Sequence, residues 1–128
     1  MSLIRLLMNI MDIVSMYDVL CVECKSDRSQ SISVYCATDY DGGPLPGTYV
    51  IEYRHGKDTV ASLTWDNDAL DPNEEYKEVD FPDFYENLKE FESESGVNLL
   101  SEDWELCKED QERIRRIIDD CEAVLPEK

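Results

Sequence analysis

The segment Cys21-Val22-Glu23-Cys24 sets two thiols three residues apart, the spacing of a redox pair or of half a zinc site. Either chemistry needs the sulfurs side by side. The surrounding run VLCVEC reads as a strand, in which side chains three apart leave from opposite faces. No second C-x-x-C follows and His55 is the one histidine, so a mixed site would have to gather Cys21, Cys24, Cys36 and His55 from separate segments. Buried thiols acting as small hydrophobes are the simpler expectation, for Cys107 and Cys121 as well. Asp66-Asn67-Asp68 followed by Asp71 and Glu74 offers oxygens of the kind Ca²⁺ and Mg²⁺ take. Its spacing departs from an EF-hand loop, with Asp71 where glycine belongs and Lys77 where a bidentate glutamate belongs. A solvated acidic loop or a partner-binding surface is expected there, with a cation-dependent regulator as a lesser alternative. Phosphate-cradling and metalloprotease motifs (G-x-x-x-x-G-K-[ST], G-x-G-x-x-G, H-E-x-x-H) are missing, and no Ser, His and Asp set has supporting context. The expectation is therefore a protein that is not an enzyme and uses no metal or cofactor.

The elements that carry these residues follow from periodicity. Residues 3–17 bring Leu3, Leu6, Leu7, Ile10, Ile13, Val14 and Tyr17 to helical spacing. Arg5, Asn9, Asp12 and Asp18 break this most apolar stretch, so it reads neither as a membrane span nor as a secretory signal. Five cysteines, an odd number, fit free thiols in a reducing cytoplasm. Residues 19–24 and 31–37 read as one hairpin, 40–47 as a loop of turn residues, and 48–54 with 58–65 as a second hairpin around His55-Gly56-Lys57. Four strands joined by short links predict an antiparallel meander, because parallel neighbours need crossovers of about a dozen residues. Residues 66–83 read as an acidic loop or linker. A helix after Pro82 carries Phe84, Leu88 and Phe91 on one face and stops near Gly96.

A last helix is predicted from Ser101 as N-cap, with Glu102 and Asp103 in its first turn and Arg113, Arg115 and Arg116 toward its end. Its seam, Trp104, Cys107, Gln111, Ile114, Ile118, Cys121 and Leu125, alternates three and four residues, and Ile117 and Val124 widen it. That seam packs within the domain or, through Trp104, Ile114, Ile118 and Leu125, forms a homodimer. The fold class predicted is α+β in a single acidic domain over 1–128: an N-terminal helix, a four-stranded antiparallel meander and two C-terminal helices.

Charge supplies the functional expectation. Thirty Asp and Glu stand against twelve Lys and Arg, a formal charge of −18, which disfavours direct binding to nucleic acid or an anionic membrane. Residues 66–94 hold twelve acids and two lysines, net −10, and 102–112 hold six acids and one lysine, net −5. Such stretches would steer the protein onto a basic groove of the kind that serves nucleic acid. Their density is modest: even with all eighteen charges on half the surface there is one per roughly 200 Å², against one per roughly 100 Å² on duplex DNA. The chain would compete for a nucleic-acid site without copying the phosphate array.

The expected function is a small acidic inhibitor or antidote that blocks the basic nucleic-acid-binding surface of a nuclease or other defence or toxin protein. Its contact residues would be Asp66, Asp68, Asp71, Glu74, Glu75, Glu78, Asp80, Asp83, Glu86, Glu90, Glu102, Asp103, Glu105 and Glu109. In size and charge the chain is similar to immunity proteins and phage-encoded inhibitors. The alternative is a structural or adaptor module that self-associates through the C-terminal helix.

Overall fold

A computed structural model of the chain describes residues 2–14, 19–67 and 79–111. The elements are α1 (Leu3–Ile13), β1 (Val19–Cys24), β2 (Gln30–Thr38), β3 (Pro44–His55), β4 (Asp58–Asp66), α2 (Phe81–Ser95) and β5 (Trp104–Leu106). The fold is α+β. Its five strands lie in the order β4-β3-β2-β1-β5, each neighbouring pair antiparallel.

Alternation along the strands builds one apolar face. The register sets Leu20, Val34, Ile51 and Leu63 in one row across β1–β4, Val22, Ile32, Tyr53 and Ala61 in the next, and Cys36, Tyr49 and Trp65 in a third. Leu3, Leu7, Ile10 and Met11 of α1 and Phe84, Leu88 and Phe91 of α2 join these residues in one core, with α2 against β4 and α1 against β5. The opposite face is mixed, with rows such as Val19, Tyr35, Val50 and Thr64.

The predicted meander is present as β1–β4, and β5 is an addition to it. The last helix predicted from Ser101 would include residues 104–106; instead they pair with the open edge of β1, Trp104 opposite Cys24 and Leu106 opposite Val22. Helical spacing of apolar residues also fits a short strand whose alternate residues face the core, and unpaired backbone groups along β1 decide between the two. Ser101 accordingly caps no helix: its Oγ accepts the Asp103 N–H at 3.1 Å. Trp104, read as part of a dimer seam, is 5% exposed and meets Tyr53 edge-on with ring centroids 6.4 Å apart. Ile114, Ile118 and Leu125 lie outside the described residues. α2 is thus the one full C-terminal helix among the described residues, followed by a helical turn at 108–111.

Two boundaries also move. β3 begins at Pro44, opposite Thr38, rather than after the expected loop, because the turn is closed earlier: Asp39 Oδ1 accepts the N–H groups of Asp41 and Gly43 at 2.9 and 3.0 Å. α1 ends at Ile13, since Val14 is extended, with φ −68° and ψ 132°. At its other end the Leu3 and Ile4 N–H groups, orphans of a first helical turn, donate to the carbonyls of Ser101 and Leu99 at 2.8 and 2.9 Å. No helix among the described residues is long and apolar enough to cross a membrane.

Candidate functional site

α2 carries five acids against Lys89. Phe84, Leu88 and Phe91 are its buried stripe. At 100° per residue, Asp83, Glu86, Glu90 and Glu94 fall together on one flank of that stripe, and all four are exposed. Neighbours on such a flank stand about 5–6 Å apart.

The flank is anchored at its start. Asp80 is the N-cap, its side chain accepting the Asp83 N–H at 3.3 Å, and Pro82 occupies the first turn. Asp83 Oδ2 accepts the indole N–H of Trp65 at 2.7 Å, which holds the helix to β4. Asn67 is 5% exposed, and its Oδ1 accepts the Asp80 N–H at 3.1 Å. A residue whose sequence context suggests a cation loop therefore pins together the two ends of the acidic segment. Asp66, at the end of β4, accepts the Thr48 hydroxyl at 2.8 Å. Asp68, Asp71, Glu74, Glu75 and Glu78 lie outside the described residues.

Glu86, Glu90 and Glu94 differ from these. They make no hydrogen bond or ion pair among the described residues. Glu94 moreover stands in the last turn, where the helix macrodipole disfavours negative charge. Glu92, between Glu90 and Glu94 in sequence but on another face of the helix, is bonded within the fold, accepting the Leu99 N–H at 2.8 Å and pairing with Lys89 at 3.2 Å. The Leu99 bond foremost, then Lys89, holds its carboxyl below the usual range.

The second acidic stretch is spent differently. Asp103 accepts the Ser26 hydroxyl and, at 3.3 Å, the Cys24 thiol, and these bonds, Ser26 first, lower its carboxyl pKa. Glu105 stands opposite Glu23, a like-charge pair that would weaken the β1–β5 contact, and Arg28 bridges both at 2.8 Å. Asp110 is 7% exposed and takes the Cys21 N–H at 2.7 Å, closing the edge of β1 beyond β5. Glu102 and Glu109 are exposed. β4 and β5 are opposite edges of the sheet, four strand spacings or about 19 Å apart. The structure thus does not merge Asp66 with Asp103 and Glu105 into one patch, and most of the second group is engaged internally.

Across α2 from the acidic flank, a groove of about 500 Å³ is lined by Ile4, Met8, Phe81 and Tyr85, with Arg5 and Asn9 beside them. Cys21 and Cys24 project from opposite faces of β1, half-buried and buried, as strand geometry requires. His55 lies at the β3–β4 turn, 3.8 Å from Asp27. Among the described residues no three His, Cys, Asp or Glu side chains are grouped so as to hold a metal ion. Glu94, the end of the acidic stretch 66–94 expected to meet the partner, shares the flank of Glu86 and Glu90. No protein-family model, curated protein or solved structure matches the chain.

Proposed function

We propose that the protein is a non-enzymatic acidic binding module, an inhibitor or antidote, that applies the α2 flank Asp83, Glu86, Glu90 and Glu94 to a basic protein surface. The partner is a nucleic-acid-binding enzyme of the nuclease, defence or toxin kind, whose groove the acids would occupy in place of phosphates. What supports this reading is one observation: Glu86, Glu90 and Glu94 are exposed, serve no partner among the described residues, and in one case, Glu94, oppose the helix dipole. Exposed carboxylates that support no contact among the described residues are best explained by a contact outside the fold. The groove beside Tyr85, on the other side of α2, offers an apolar surface on the same helix.

Affinity capture from a lysate of the source cells at about 50 mM and about 500 mM salt tests it. A basic nucleic-acid-binding protein retained at low salt, released at high salt, and lost with the triple variant Glu86→Lys, Glu90→Lys, Glu94→Lys is the expected result. Capture of the same protein regardless of salt and of charge reversal would overturn the reading.

A further inference from the structure

The binding surface leaves two thiols unaccounted for. Extending the β1–β5 register by one step from Val22 and Leu106 sets Cys21 opposite Cys107, and the Cys107 N–H donates to the Cys21 carbonyl at 2.9 Å. Both residues are partly exposed, and the Cys21 thiol makes a long contact, 3.6 Å, to the Val22 carbonyl. The Cys21 N–H goes to Asp110, so one backbone bond joins the two residues; directly opposed residues of antiparallel strands have Cα atoms about 4.5–5.5 Å apart, inside the roughly 4.4–6.8 Å that a disulfide spans. The other described cysteines are buried and engaged: Cys24 donates to Asp103 Oδ2 at 3.3 Å and Cys36 to the Leu45 carbonyl at 3.2 Å.

We propose that Cys21 and Cys107 form a thiol–disulfide modification site, oxidised by a small disulfide of the glutathione class. The Cys21 thiolate attacks one sulfur of oxidised glutathione, breaking its S–S bond and releasing one glutathione thiolate. The Cys107 thiolate then attacks the Cys21 sulfur of the mixed disulfide and expels the second glutathione. Two protein thiols are oxidised, one small disulfide is reduced to two thiols, and the two protons pass to the departing thiolates. Burial first, then the adjoining Cys21, Glu23 and Asp110, push the Cys107 thiol up, which lowers its share of reactive thiolate. The bond would lock the three-residue strand β5 onto β1. It would form whether or not the acidic flank of α2 meets a basic partner.

The test is incubation of the reduced full chain with oxidised glutathione, alkylation of remaining thiols, and peptide mapping by mass spectrometry. The expected product is a Cys21–Cys107 linked peptide pair lighter by two hydrogens, reversed by dithiothreitol, with Cys24 and Cys36 unoxidised; Cys107→Ser should instead retain glutathione on Cys21. Cys21 and Cys107 both still free after oxidation of the folded chain would overturn it. So would a bond from either to Cys121 or to a second copy.

Discussion

Asp83 belongs to the acidic flank by position and to the core by bonding. Its carboxylate accepts the N–H of Trp65, an indole only 2% exposed, so Asp83→Ala would strand a buried donor. A loss of about 1–3 kcal/mol is expected in urea unfolding, whereas Glu86→Gln should leave stability within about 0.5 kcal/mol. The same measurement therefore separates an acid of the flank that also holds the fold from one that does not. Arg28 marks a further single-residue dependence, because it neutralises Glu23 and Glu105 standing directly opposite each other. Arg28→Gln should leave that repulsion uncompensated and speed hydrogen exchange at the Lys25 and Cys107 amides, which bond across the β1–β5 contact. Exchange there equal to wild type would show that Arg28 is dispensable for holding β5.

At the scale of elements, α2 sets stability against binding. Its N-terminal end is well matched to the dipole, with Asp80 as cap and Asp83 in the first turn, but it has no basic residue in its last turn. Glu94→Lys should raise stability by about 0.3–1 kcal/mol while weakening capture of a basic partner. Opposite signs in the two assays are the signature of charge placed for association; a gain in stability with undiminished capture would move the contact surface elsewhere. The helix stop is equally local: Gly96 has φ +79° and its N–H bonds to the Glu92 carbonyl. Gly96→Ala forces a side chain into the left-handed region and should cost about 1–2 kcal/mol, read as a shifted denaturation midpoint.

For the whole molecule, two electrostatic effects run in opposite directions with pH. A charge of −18 repels itself, and lowering the pH from 7 toward 5 relieves that repulsion. Asp103 and Glu92, in contrast, have carboxyl pKa values lowered by their hydrogen bonds. A lowered folded-state value contributes stability above the ordinary carboxylate range, and that contribution is lost as pH falls through the folded value. Thermal unfolding followed by circular dichroism should therefore show a maximum between about pH 4.5 and 6, with a fall below about pH 4. Added salt at pH 7 should raise the midpoint by screening the repulsion. A midpoint that drops with salt at pH 7 would contradict a native state destabilised by its own charge.

Local pattern alone determined the first four strands, the placement of α1 and α2, the Phe84–Leu88–Phe91 stripe, the stop at Gly96 and the divergence of Cys21 from Cys24. Each depends on neighbours within one element, where a period of 2.0 or 3.6 residues assigns every side chain to a face. Only the tertiary structure decided the rest. Trp104–Leu106 became a strand because the edge of β1, some eighty positions earlier, lacked partners; Asn67 became a clamp because Asp80 came within reach. It also divided the acids into those bonded inside the fold, such as Asp83, Asp103, Glu105 and Asp110, and those turned outward, such as Glu86, Glu90 and Glu94. Carboxylates are chemically alike in a sequence, and their roles separate only when folding brings a distant donor to some and leaves others to solvent.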